Sequence, residues 1–324
     1  MSVLVYTENW DGKFKKLSYE LMSYANEIAK MKNTNLVTVS IGNVNDDELK
    51  TLGKYGAEKI YSINNDKFNT LSSQAYAKAI AEIAQKENAD VIVFANTYTG
   101  RAVAPRVTVK LDAALAAGCV SLPKSVEPFV VVKKAYSGKA FAETELKAGT
   151  KILTFNQNSF KLVEDNKEVS IENYEPATEE KDFRAKSVEI QKASDKLDVT
   201  DAEILVSGGR GLKSAEKIKI IDEMAAVIGN NCTTACTKPV ADLEWRPHYE
   251  HVGQTGKVVA PNLYFAIGIS GAIQHLAGIN ASKYIVAINT DKDAPIFEAA
   301  DYGIVGDAFE VVPQLIEAIK ELKS

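Results

Sequence analysis

The sequence predicts an α/β protein of two domains, each a mainly parallel sheet flanked by helices. Three observations carry this. Short apolar runs alternate with stretches of helical spacing over the first 120 residues. The run DVIVFA at 90–95 is apolar at nearly every position, as a strand covered on both faces must be. The alternation lapses after about residue 120 and resumes at 204, beyond a polar stretch.

The first domain opens with a strand at 3–6. Residues 17–30 carry apolar side chains at 17, 21, 24, 25, 28 and 29, the recurrence of one helix face. Strands follow at 36–41 and 59–63, an Ala-rich helix at 71–85, the strand at 90–95 and a helix at 100–111. Residues 129–136, 140–146 and 151–155 are short strand-like runs with little helix between them, so antiparallel additions are expected there. The segment 164–185, EDNKEVSIENYEPATEEKDFRA, is charged and without period, and reads as solvated surface near a domain boundary. Residues 188–190 could add one last strand, with 195–203 as the connection. The expected domains are 1–197 and 198–324. In the second, a strand runs from 204 into a glycine turn and a helix at 215–228. Strands at 264–267, 283–289 and 303–305 and helices at 295–300 and 309–322 complete it.

Length and composition narrow the function. A chain of 324 residues can bury two cores. A net charge of −5 excludes the basic surface that nucleic-acid binding needs. Three cysteines, Cys119, Cys232 and Cys236, do not make a disulfide framework. The chain enters an apolar strand at once and holds no run long enough to span a bilayer, so a cytoplasmic protein without membrane insertion is expected.

Two glycine turns in the second domain are the strongest candidate site. Ser207-Gly208-Gly209-Arg210-Gly211 follows a strand and precedes a helix, an arrangement that offers backbone N–H groups to an anion. Arg210 adds a fixed cation suited to phosphate. GISGAIQ at 268–274 repeats the layout, but Ser270 and Ile273 stand where the dinucleotide fingerprint needs glycines. Ligands of parallel sheets bind at the carboxyl ends of strands, where both turns lie. Other chemistries fit poorly. VGQTGKVV at 252–259 has Val258 after Lys257, so it is no Walker loop. GISGA lacks the last glycine of a nucleophile elbow, and no His follows His275. His248 and His251 have no further metal ligands at suitable spacing, and Cys232 and Cys236 have no matching pair. The ordinary reading of both cysteines is as small buried residues, and of Trp245 as a packing residue.

GGRGLKS, VGQTGKVVAPNLYFAIGISGAIQHLAG, IVAIN and APIFEAADYGIVGD follow one another over 202–324. In that order they resemble the α subunit of electron transfer flavoproteins. TGRAVAPRVTVKLDAALAAG at 99–118 extends a looser resemblance over the first domain, which the family makes nucleotide-hydrolase-like. The resemblance implies a Rossmann-like FAD-binding second domain. It implies an αβ heterodimer with one FAD, held mostly by this domain, and a β subunit that often holds AMP. Soluble dehydrogenases such as acyl-CoA dehydrogenases would be the donors, and a membrane quinone oxidoreductase a plausible acceptor. The chain would then be a redox carrier and not an enzyme, with no catalytic residue and no metal.

The resemblance also implies the site. Arg210 matches an FAD contact. Thr237 stands where the family often has Ser, and Lys238 where many members have Arg, a flexible point charge in place of a planar fork. Val252, Gly253, Gln254 and Thr255 match a loop beside the isoalloxazine, with the Thr255 hydroxyl able to bond flavin N5. Ser270, Gly271, Ala272, Ile273, Gln274 and His275 match the turn that meets the diphosphate and reaches the ring. There His275, as a donor or an imidazolium, would stabilise negative charge on a one-electron-reduced flavin. Asn289 and Asp307 match adenosine-side contacts. Two alternatives stay open: a binding module whose FAD is structural, and a bifurcating version with a second flavin in the β subunit.

Overall fold

The computed structural model describes residues 1–136, 140–185 and 196–323. The chain divides into two compact units, Met1–Ile190 and Gln191–Ser324. The expected strand at 188–190 and the start of the connection at 195 lie outside the described residues.

In the first unit, ten strands form one mixed sheet among the described residues. Its middle is parallel, in the order Ala114–Cys119, Lys151–Phe155, Ala89–Ala95, Ser2–Thr7, Asn35–Ile41, Lys59–Ile63 and Ser170–Asn173. Helix Lys16–Lys32 covers one face, where Leu21, Tyr24 and Ile28 meet Val3, Val5 and Phe155. Helices Ser73–Lys86 and Tyr98–Leu111 cover the other, where Ile80, Ile83 and Val103 meet Leu4, Ile92 and Phe94. Each such buried aliphatic contributes about 1.5–3 kcal/mol. Because both faces are covered, strand Ala89–Ala95 is apolar but for Asp90, which pairs with Lys32 at 2.8 Å.

Two expectations need correction here. Lys151–Phe155 is not an antiparallel addition: it lies inside the sheet, parallel to strands on both sides. One of those neighbours, Ala114–Cys119, carries no signal in the sequence, because ALAAGC lacks the β-branched and aromatic residues that mark a strand. The antiparallel edge is real around Phe129–Ala135, which pairs with Ala140–Glu145, with Ser125–Val126 and, at Cys119, with Ala114–Cys119. The charged segment 164–185 is not simply solvated. Ser170–Asn173 joins the sheet beside Lys59–Ile63. Asp182 is buried, accepting from Glu179 N at 2.9 Å and from Lys78 Nζ at 3.2 Å, while Phe183 packs on the core. Asp165, Glu172 and Asp182 pair with lysines elsewhere in the unit, so the polar pattern hides an anchored strap.

The second unit is a parallel sheet in the order Cys232–Cys236, Ile204–Gly208, Leu263–Ile267, Tyr284–Asn289 and Tyr302–Val305. Helices Ile220–Ile228 and Ala308–Lys323 close one face around Val206, Phe265 and Ile288. Residues 217–219, within the expected helix, form a 3-10 turn. Trp245 packs against this core, as expected. Cys232 and Cys236 belong to a strand that the sequence reading passed over. Both are free, and burial pushes each thiol up to about 12, so neither is poised for redox chemistry. Among the described residues no helix is long and apolar enough to cross a membrane.

Candidate functional site

The chain leaves strand Ile204–Gly208, runs out to Cys232–Cys236 on one side, then returns to Leu263–Ile267 on the other. The carboxyl ends of the first and third strands are therefore a topological switch point, the place where such sheets hold ligands. The two glycine turns meet there. Gly209 N donates to Ile267 O at 2.8 Å and Gly211 N to Gly268 O at 3.0 Å. A Cβ on Gly209 would sit 2.1 Å from Gly268 O. These glycines thus permit one turn to cross the other, and their N–H groups are spent on that crossing. The expectation that they face an anion is corrected. The exposed Arg210 side chain between them has no carboxylate partner among the described residues.

The second turn is different. Gly268 and Gly271 take positive φ of 62° and 88°, which favour glycine. A Cβ on Gly271 would meet Ile296 N at 2.3 Å, so the turn lies flat on the Pro295–Ile296 backbone. Ser270 O accepts from Ile296 N and Asn289 Nδ2 donates to Ile269 O at 2.9 Å. Asn289 Oδ1 in turn accepts from Asp291 N. The turn is held from behind, while the backbone N–H groups of residues 270–274 take no acceptor among the described residues. That is the donor set an anion needs.

Loop 251–257 closes the site. It folds back through Gly253 N to Lys257 O and Lys257 N to His251 O, and is tied to helix Ile273–Ile279 by Gln254 N to Gln274 O at 2.7 Å. A Cβ on Gly278 would lie 2.4 Å from Gly253 Cα, so glycines on both sides let the loop touch the helix. His275 completes the joint. Its Nδ1 lies 3.0 Å from Val252 O and its Nε2 lies 3.1 Å from Tyr264 Oη. A carbonyl only accepts, so Nδ1 carries the proton and Nε2 accepts from Tyr264. Burial pushes this imidazole down to about 4. His275 is therefore neutral near pH 7 with both nitrogens engaged, which removes the imidazolium reading.

Together these elements bound a cavity of about 660 Å³, a size suited to a large cofactor. It gathers Arg210, Thr237, Lys238, Val252, Gly253, Gln254, Thr255, Ser270, Ala272, Gln274, His275 and Asn289. Three expected residues do not line it. Gly271 packs against Ile296, Ile273 is 80% exposed, and Asp307 accepts from Phe309 N at the start of helix Ala308–Lys323. Lys238 stands at the start of the short helix Lys238–Asp242, with its ammonium 2.6 Å from Asp242, so the cation at the rim is already paired. The sequence reading missed Pro239, Ile269, Asp291, Ala294 and Pro295 as lining, and considered His251 only as a metal ligand. No local signal marks the first five. A broader depression of about 790 Å³ in the first unit, near Met1, Asn88 and Thr150, lies at the amino ends of its strands and away from any switch point.

The comparisons with known proteins identify the family. Residues 3–194 match the model of the electron transfer flavoprotein domain, and residues 198–280 that of the electron transfer flavoprotein FAD-binding domain. The chain is 36% identical to the electron transfer flavoprotein subunit alpha of Thermoanaerobacterium thermosaccharolyticum, over 99% of this chain and 98% of that one. It is 34% identical to the subunit alpha of Bacillus subtilis, over 99% and 98%. It is 31% identical to the acryloyl-CoA reductase electron transfer subunit beta of Anaerotignum propionicum, over 99% and 96%. The second unit is thus the FAD-binding domain of its family, and the chain belongs to the electron transfer flavoprotein alpha subunits.

Proposed function

We propose that this chain is the FAD-holding subunit of a cytoplasmic αβ heterodimer that carries electrons and turns over no substrate of its own. Soluble dehydrogenases, acyl-CoA dehydrogenases among them, would supply the electrons, and a quinone oxidoreductase would receive them. The observation that carries the reading is the cavity at the switch point, where free backbone N–H groups and Arg210 converge on one side and loop 251–255 on the other. The donor set suits a diphosphate and the cavity suits a flavin, so the residues fit FAD.

In this reading residues 270–274 and Arg210 hold the diphosphate. Asn289 keeps the turn in shape by binding Ile269 O and Asp291 N. Val252–Thr255 lie along the ring, with Thr255 exposed to the cavity as a hydroxyl donor. His275 positions that loop through Val252 O and excludes water there, and places no charge beside the ring. The bound FAD supplies the redox chemistry.

The test is anaerobic stepwise reduction of the protein co-expressed with its β partner, followed by visible absorbance. One FAD per heterodimer, reduced through a one-electron stage, is expected. A colourless complex that cannot be reconstituted with FAD would overturn the proposal.

A further inference from the structure

Of the three histidines, His251 has no role in the site as described so far. It is 8% exposed and lines the cavity. Among the described residues neither of its ring nitrogens has a hydrogen-bond partner, whereas both nitrogens of His275 are engaged. The loop is shaped around the ring. A Cβ on Gly256 would meet His251 Nδ1 at 2.7 Å and Cγ at 2.8 Å, and one on Gly253 would lie 3.4 Å from Nε2. Two glycines thus seat an imidazole on the cavity lining whose polar atoms the protein leaves unused, so they are free to bond a ligand held there.

We infer that His251 is a cofactor-facing residue that bonds the bound flavin and takes up a proton when the flavin gains an electron. The inference rests on FAD occupying this cavity. The groups facing His251 are Lys238 and Asp242 of helix Lys238–Asp242, His248 of the turn before it, and His275 of helix Ile273–Ile279. Glu250 beside it is committed to Arg246 at 2.7 Å, and Lys257 across the loop to Asp198. Burial, Lys238 and His248 hold the His251 imidazole below its usual range, so it enters neutral, and only Asp242 opposes them. Negative charge arriving on the ring reverses that balance. One electron from the donor enters the flavin and one proton passes from solvent to an imidazole nitrogen; no bond to the cofactor is made or broken. The charge of the site is then conserved.

The experiment uses the FAD-loaded heterodimer, wild type and the variants His251→Gln and His248→Gln. The midpoint potential of the first electron is measured by spectroelectrochemistry from pH 5.5 to 8.5. In the wild type it falls with pH, by up to 59 mV per unit, a tenfold change in a one-electron equilibrium. His251→Gln keeps its FAD and loses that slope over the window; His248→Gln retains it. An unchanged slope in His251→Gln overturns the inference. Should that variant release FAD, NMR titration of His251 in the wild-type complex decides. Its midpoint must move to higher pH on dithionite reduction, and an unmoved midpoint overturns the inference. Unchanged FAD affinity in Arg210→Ala would instead remove the cavity reading, and this inference with it.

Discussion

Each unit has a switch point beside its first strand, and the two are closed in opposite ways. In the first unit it lies between the carboxyl ends of Ser2–Thr7 and Ala89–Ala95. Side chains fill it. Thr97 donates to Glu8, Asn96 donates to Asn156 at 2.6 Å, and Asn9 donates to Ile41 O. Burial pushes the Glu8 carboxyl up to about 7. In the second unit the equivalent crevice is crossed by backbone alone, through Gly209 and Gly268. Beyond the crossing, a cavity opens onto unused N–H groups. The same βα architecture is self-satisfied at one site and ligand-ready at the other. The lesson is that a switch point becomes a binding site only when its polar groups are not spent on each other.

The contrast can be broken most severely at the crossing. Gly209→Ala places a methyl on Gly268 O, and should cost the second unit about 3 kcal/mol and its bound FAD. Thermal unfolding and cofactor retention after gel filtration would show it, and wild-type retention would mean that the turns do not cross as described. The buried His275 gives a pH test. Its folded state resists protonation down to about 4, so the unfolded chain binds more protons between pH 6.5 and 4. Stability is complete above 6.5 and is lost as pH falls, by about 3 kcal/mol at most. Denaturant unfolding of the wild type should show this fall and His275→Gln should not.

Glu8 sharpens the comparison with the opposite sign. Its raised folded value means that the native state binds more protons, so its contribution is full below about 4.5 and lost as pH rises through about 7. Glu8→Gln removes that loss. Because Glu8 keeps part of its surface in solvent, the gain at pH 8 should be about 1–2 kcal/mol, absent at pH 4. Equal stability of the two proteins at pH 8 would mean that Glu8 is well solvated. The smallest effect is expected at Lys238. Its pair with Asp242 is exposed and four residues apart on a short helix, so Lys238→Ala should change stability by about 0.5 kcal/mol or less. A larger shift in a melting curve would assign the pair a structural role.

Much of this was legible locally. Apolar runs and helical spacing placed most elements, because side-chain period is a property of neighbours in sequence. The glycine turns announced themselves by residue type, and twelve of the expected site residues meet in one cavity. What escaped depended on partners distant along the chain. Strand Ala114–Cys119 exists because Lys151–Phe155 pairs with it, and the charged strap at Asp182 is buried because Lys78 waits for it.

The sequence by itself determined the two α/β sheets, the turns at 207–211 and 268–275, and the residue types around the site. Only the tertiary structure decided what each glycine and histidine does. Gly209 faces Gly268 and not an anion. His275 is neutral because Val252 O and Tyr264 occupy its nitrogens in a buried place, and His251 is a buried ring left unpaired among the described residues. Turn chemistry is written in adjacent residues. Protonation and hydrogen-bond satisfaction are set by burial and by groups brought together from separate strands, and these exist only once the chain has folded.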